Sequence, residues 1–562
     1  VRPEADLPAA GWPSSRTQHE ISALIRFGFV ALTAAVSAAT LFVAVVGPWG
    51  WWIPAVIVTG TAAVGVYDLV QRKHSVLRNY PVLGHLRYLL EALRPELQQY
   101  FIERNFDGRP FDRDVRSLIY ERAKGTASEL SFGTERDIDR DGYEYLLHST
   151  APFDPPEEPF RVRIGGPDCT KPYDMALMNI SSMSFGALSG NALRAMNNGA
   201  RKGQFAHDTG EGGLTPYHLG GADVVWEIGS GYFGARRADG SFDPDQFAAK
   251  AAHDAVKCIS IKLSQGAKPG VGGVLPAAKV SQEIARYRGV PAGVKCVSPA
   301  AHTAFRTPRE LMRFVALLRE LAEGKPVGFK LCVGSRVDVL AICKAMLAEG
   351  VTADFIIVDG GEGGTAAAPL EYEDHVGLPL TDGLMIVHNA LMGTGLRDKI
   401  RIGASGKVAT GNDIVKRLIQ GADYTNSARS MMMAAGCIQS QRCHTNLCPV
   451  GVATQDPQRA RALDIVDKSE RVYRYQRATV LQAMRLMGSM GVSDPSMLNP
   501  HMLRKRVSPT EQRSYAELYE WLAPAELLNH APISWRSDWD AADPDSFTPV
   551  GTSRPLTPGE LS

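Results

Sequence analysis

Apolar and polar positions follow three different patterns along the chain. From Phe27 to Val46 no charged residue occurs in twenty positions, and Ala, Val and Leu dominate. At about 1.5 Å per residue, a helix of that length crosses the hydrocarbon of a bilayer. A second apolar run, Trp51 to Tyr67, follows Gly47-Pro48-Trp49-Gly50, and Trp49, Trp51 and Trp52 suit the interface between two spans. From Gln71 to about Thr150 the chain turns charged and aromatic, an amphipathic helical pattern broken at Pro81 and Pro95. Between Met175 and Ala428 short apolar runs alternate with helical patterns: MALMNI, QFAH, CISIKL, VKCV, VGFKLC, DFIIV, KIRIG and DYTNSA. Eight strand candidates separated by helices predict an α/β fold, a parallel (β/α)8 TIM barrel. The long stretch between QFAH and CISIKL, which contains WEIGSGYFGARRADG, reads as an insertion. A helix is expected from Arg471 to Met490, then a weakly periodic tail that either wraps the barrel or remains mobile.

The expected division is therefore an N-terminal tail (1–20), a transmembrane helical hairpin (21–70), a helical linker region (71–150), the barrel with a cysteine loop at 437–448 (151–510), and a C-terminal tail (511–562). A cleaved signal peptide is the rival for the first run, but it is long, begins inside the chain and is followed at once by a second span. Arg16 and Arg26 flank one end of the hairpin and Arg72, Lys73 and Arg78 the other, while the connecting turn carries no charge. The charge bias places both ends in the cytoplasm, giving a two-pass cell-membrane protein with a cytoplasmic catalytic domain.

A net charge of +1, with no basic stripe among aromatics, offers no case for nucleic acid. Eight cysteines in 562 residues do not make a disulfide framework, which points to a reducing compartment. Three of them, Cys437, Cys443 and Cys448, stand in a C-x5-C-x4-C-P arrangement. Close thiolates suit a soft-metal or iron-sulfur centre. A zinc site completed by His444, and cysteines with no common purpose, are not excluded by the spacing.

In such barrels the loops after the strands build the site, and the glycine-rich motifs fall there. Glu211 sits between glycines in HDTGEGG, where it is either a solvated turn residue or an active carboxylate. Lys262 is expected to end the third strand, with Gln265 and Lys268 in the glycine-rich loop beyond it. Lys330 is expected at the end of the fifth strand. DGGEGGT (Asp359 to Thr365) and IGASGKVATG offer runs of backbone N–H groups, and the late loops of a barrel are the usual phosphate grip. Gly403, Ser405, Gly406 and Lys407, followed by Ser427 and Ala428, are the candidates for it.

CHTNLCPVGVATQ, preceded by Cys437, resembles the segment of the glutamate synthase family that holds a three-iron, four-sulfur cluster on three cysteines. The similarity continues through MNISSMSFGALS, HDTGEGG, IKLSQGAKPGVGGVLP and VDGGEGGTAAAP, and covers roughly residues 150 to 500 in family order. The helical stretch after two membrane helices looks like a membrane-associated branch of that family. The resemblance implies FMN and a 3Fe-4S cluster held by Cys437, Cys443 and Cys448. It implies flavin contacts by Met183 and Ser184, joined by Thr209, Lys262, Gln265, Lys330, Gly361, Gly364 and Thr365. It also implies Glu211 as the group that deprotonates or positions the amine, and Lys268, with Arg288 as a weaker partner, for the 2-oxoglutarate carboxylate. Electrons are expected to enter through the cluster, pass to FMN and leave as hydride to an imine of the oxo acid.

Two departures bear on the substrate: Val274 stands where the family usually has a polar residue, and VSPAAHTAFRT carries His302 alone where the family has a double histidine. They question the oxo acid and leave the flavin side untouched. The family's glutaminase nucleophile is an amino-terminal cysteine, and no cysteine precedes Cys169. Free ammonia or a partner-supplied amine is therefore the expected nitrogen source. Reductant is expected from ferredoxin, a separate NAD(P)H reductase subunit or a membrane donor. Membrane lipid and a small 2-oxo acid and amine complete the expected partners, with a homo-oligomer allowed. The rivals are the same cofactors acting on another pair, such as methylamine in an N-methylglutamate synthase-like reaction, and a non-catalytic membrane redox relay.

Overall fold

The computed structural model describes residues 27–547, apart from Ala127, Ser128, Leu130 and Phe132. The expected tail at 1–20, the flanking Arg16 and Arg26, and residues 548–562 lie outside the described residues. The chain divides into two compact units, Val1–Glu103 and Arg104–Ser562.

In the first unit, α1 (Phe29–Val46) and α2 (Trp52–Val70) are joined by a 3-10 turn at Trp49–Trp51. The uninterrupted apolar sequence makes both helices. They touch through Ser37 and Thr59, whose hydroxyls lie 2.7 Å apart, each satisfying the other's polar atom within apolar surroundings. Little of either helix is buried, and both are long and apolar enough to cross a membrane. A short helix (Ser75–Asn79) and α3 (Gly84–Leu97) follow. Pro81 sits in the turn between them, as its lack of an N–H favours. Pro95 does not break α3 as the sequence suggests: the helix runs through it and opens into a π-helical turn at Gln98–Ile102.

The second unit holds a closed parallel barrel: β1 Met178–Ile180, β2 His207–Asp208, β3 Val224–Ile228, β4 Val256–Lys262, β5 Val327–Leu331, β6 Phe355–Asp359, β7 Arg401–Ser405 and β8 Tyr424–Ser427. Each strand pairs with the next, and β8 closes on β1 through Ser427 and Ile180. Two strand assignments differ from expectation. VVWEI, read as part of an insertion, is β3 and is buried at every position. VKCV supplies no barrel strand; Cys296 and Val297 make a two-residue antiparallel ladder with Val274 and Leu275, and Val294 and Val297 stay exposed. Lys262 accordingly ends the fourth strand, not the third, while Lys330 keeps its place on the fifth.

Sharp caps fix where the surrounding helices begin. Ser189 accepts from Ala192 N to start Gly190–Gly203, and Thr307 and Thr410 form capping boxes with Glu310 and Asp413. The 25-residue helix Ile465–Ser489 packs on the outside of the barrel, with Tyr475, Val480 and Met484 in the core. Beyond it, Leu503–Ser508 pairs with Glu144–Leu146 and Glu511–Ser514. The described tail is ordered against the barrel: Leu522, Leu527 and Trp535 are buried in its second core, and the Arg336 guanidinium stacks 4.4 Å from the Trp535 ring.

Candidate active site

A cavity of about 660 Å³ opens at the carboxyl ends of the strands, within the usual size range for cofactor and substrate sites. Its floor is charged. Lys330 on β5 pairs with Glu227 on β3 and donates to Ser182 Oγ at 2.6 Å. Ser182 Oγ in turn lies 2.7 Å from Glu227 Oε2 and 3.0 Å from Asp208 Oδ2. Burial works against the Lys330 ammonium, but Glu227 and Asp208 outweigh it and hold its pKa above the usual lysine range. Burial and the Glu227 charge push Asp208 up to about 7. The floor thus carries one fixed cation and two carboxylates, of which Asp208 is poised to hold a proton.

On one wall Glu211 is partly buried beside Lys262, 3.4 Å away, and accepts from Ser298 Oγ at 3.2 Å. Burial alone would raise its pKa; Lys262 and Arg288 bring it below the usual carboxylate range. Gly273 makes room for it, since a Cβ there would stand 1.6 Å from Glu211 Oε1. Lys268, 2% exposed, faces the same space, and burial followed by the Lys262 charge lowers its pKa. Arg288 also lines the cavity, but its guanidinium is engaged: it donates to Phe185 O at 3.1 Å and sits 5.0 Å from the Phe233 ring centre. Val274 and Leu275 make an apolar stretch of this wall. His302 stands behind it, with Nε2 2.9 Å from Lys262 O and Nδ1 3.2 Å from Tyr232 Oη. Burial lowers its pKa to about 4, so it is a neutral prop for the strand end that carries Lys262.

Met183, Ser184, Gln265, Gly364, Thr365, Ser405, Gly406, Lys407, Ser427 and Ala428 all line the cavity. Three expected contacts do not. Thr209 Oγ1 is turned into the barrel wall, where it accepts from Glu227 N and donates to Gly210 O. Gly361 donates its N–H to Leu378 O, closing a loop. Gly403 lies inside β7, where a Cβ would meet the Tyr424 ring at 2.6 Å. Gly186, in the loop after β1, is packed against Leu275 and Arg288. Residues that the sequence reading passed over face the cavity too: Glu227, Asp359, Asn426, Arg429 and Lys279. Arg429 follows Ala428 directly and donates to Glu362 O at 2.8 Å; its place at the start of a helix after β8 was the available signal.

The cysteine loop forms one rim. Cys437 and Cys443 line the cavity, and Cys448 is buried just behind. Burial, then the neighbouring thiols, push Cys437 up to about 12, and burial and Cys448 raise Cys443. The three therefore lie within electrostatic reach of one another. Among the described residues no three His, Cys, Asp or Glu side chains converge as a single-ion site. The thiols are soft donors of the kind that both zinc and iron-sulfur centres use. Lys279, its pKa lowered by burial to about 8, sits beside Cys443 and Cys448 and donates to Ala187 O at 2.9 Å. Tyr120, from the helix Arg113–Lys124, donates to Cys437 O at 2.8 Å and braces the loop from outside.

The chain is thus an eight-stranded parallel barrel with a large charged cavity at its strand ends and a cysteine-bearing loop on the rim. Residues 161–493 match the conserved region in glutamate synthase. The chain belongs to the glutamate synthase family. It is 37% identical over 476 residues to the glutamate synthase large subunit-like protein YerD of Bacillus subtilis, covering 77% of this chain and 90% of that one. It is 34% identical over 329 residues to the archaeal glutamate synthase [NADPH] of Methanocaldococcus jannaschii, covering 58% of this chain and 61% of that one. Against the glutamate synthase [NADPH] large chain of Bacillus subtilis the 34% identity spans 288 residues, only 18% of that longer protein.

Proposed function

We propose that the chain is a membrane-anchored FMN and iron-sulfur oxidoreductase that reductively aminates a 2-oxo acid, with 2-oxoglutarate and ammonia as the first pair to test. The observation that carries this reading is Glu211, held ionised between Lys262 and Ser298 on the wall of the cavity that Lys268 and the loop cysteines also face.

FMN, when bound, supplies hydride transfer, and a 3Fe-4S cluster supplies electrons one at a time. Ser405, Gly406, Lys407, Ser427 and Arg429 would hold the phosphate, and Cys437, Cys443 and Cys448 the irons. Lys330, whose charge its carboxylate neighbours secure, would favour an anionic form of the flavin. Lys268 and Lys262 would neutralise the carboxylates of the oxo acid, and Arg288 would fix the wall behind them. Glu211, held ionised, would attract the incoming ammonium and position the amine toward the carbonyl. Asp208, with its raised pKa, would hold a proton at the floor while the cavity walls exclude water.

A second reading, an alkylamine such as methylamine in place of ammonia, is supported by Val274 and Leu275, which add apolar surface to the wall that carries Glu211. Reductant would come from ferredoxin or a separate NAD(P)H reductase subunit. The exposed apolar surfaces of α1 and α2 and the basic Arg72, Lys73 and Arg78 support a two-pass anchor with a cytoplasmic barrel. Dithionite-reduced protein mixed anaerobically with 2-oxo acids and amines tests the chemistry. Reoxidation by 2-oxoglutarate with ammonia or methylamine supports the proposal, and no reoxidation by any pair overturns it.

A further inference from the structure

Asp68, in the last turn of α2, is fully buried. Its carboxylate accepts from Val82 N at 2.9 Å, and His85 Nε2 lies 3.0 Å from both of its oxygens. Val82 stands just before α3 and His85 in its first turn, so this contact fastens the start of α3 to the end of the second apolar helix. A charge buried and shared in this way resists loosening, because freeing the carboxylate in apolar surroundings is costly.

From that corner α3 presents a continuous leucine stripe. Leu86, Leu89, Leu90, Leu93 and Leu97 recur at the spacing of one helical face, and each is more than a third exposed. Phe101, in the π-helical turn beyond, is 82% exposed. The opposite face carries Arg87 and Glu91, paired at 2.8 Å. Soluble proteins rarely leave so long an apolar stripe in water. The segment between α2 and α3 adds Arg72, Lys73 and Arg78 and contains no acidic residue from Leu69 to Leu90. Apolar stripe and basic cluster thus share one end of α2, the combination that binds a helix into an anionic lipid interface.

We propose that α3 and its π-helical extension lie in the cytoplasmic leaflet, leucines toward the acyl chains, with Arg72, Lys73 and Arg78 among anionic headgroups. This rests on the two-pass reading of α1 and α2, and adds a third lipid-bound element that does not span.

Full-length protein in nanodiscs made with a phosphatidylglycerol carrying a photoactivatable acyl chain tests the proposal, with adducts located by peptide mass spectrometry. The expected result is labelling of 29–70 and also of 86–101, concentrated on the leucine stripe. Replacing the anionic lipid with a phosphatidylcholine probe should reduce the 86–101 labelling severalfold and leave 29–70 unchanged. Labelling of 29–70 without 86–101 overturns the proposal alone, as do cross-links from the stripe to a second copy of the chain. Absence of label from both segments overturns the two-pass reading itself and the proposal with it.

Discussion

Lys330 of β5 and Glu227 of β3 form an ion pair across the inside of the barrel, their side chains 5% and 1% exposed. Alternate strands of a parallel barrel contribute the same interior layer, which is why residues over a hundred positions apart meet there. The pair sets the charge of the cavity floor, and its two members answer for each other's burial.

Lys330→Met leaves Glu227 buried without its cation, so the fold should lose about 3–5 kcal/mol. Adding Glu227→Gln removes the stranded charge and should recover part of that loss. Denaturant unfolding of the single and double variants measures both; equal losses in the two would show that the pairing is not what supports the floor.

Gly273→Ala places a methyl group where the Glu211 carboxylate now sits. The carboxylate must move by on the order of 1 Å, and turnover should fall by about 100-fold. Flavin content and melting temperature should change little, since the ladder of Val274–Leu275 with Cys296–Val297 is retained. Steady-state rates beside cofactor content check this.

His302 is neutral in the fold, its pKa lowered by burial to about 4 against an ordinary 6.5. The unfolded chain takes a proton below pH 6.5 and the folded protein does not, so stability present above that value is lost as pH falls toward 4. This share is on the order of 3 kcal/mol at full development. Melting temperatures between pH 4 and 7 should fall less steeply in His302→Asn, which can still donate to Lys262 O, than in the unaltered protein.

Much of the barrel was legible because buried parallel strands read as short apolar runs between helices. β3 was hidden by Glu227: a charge inside VVWEI reads as the start of a loop, and its partner Lys330 is too distant in sequence to reveal that the charge is satisfied. VKCV has the right pattern, yet its valines stay in solvent. The two errors cancelled in the strand count. At the site, loop glycines identified the right loops but not which atoms face inward. Gly403 and Gly361 serve packing and loop closure, while Asp359, Asn426 and Arg429, at strand ends or just after them, face the cavity. The tail's packing was not legible because Leu522, Leu527 and Trp535 are too widely spaced to show a period.

Cys443→Ser should remove most of the iron while leaving the flavin bound, because the proposed phosphate contacts at Ser405 to Lys407 belong to the loop after β7 and not to the cysteine loop. Cys169→Ser, whose thiol donates to Gly324 O away from the cavity, should leave iron and flavin unchanged. Iron and flavin analysis of the two variants, each normalised to protein, separates these outcomes.

The most direct measurement is the visible spectrum of the anaerobically purified full-length chain, with flavin, iron and acid-labile sulfide determined on the same sample. The account predicts FMN released on denaturation and a broad iron-sulfur absorption, with iron in excess of flavin. A correctly folded, colourless protein that takes up neither cofactor would contradict it.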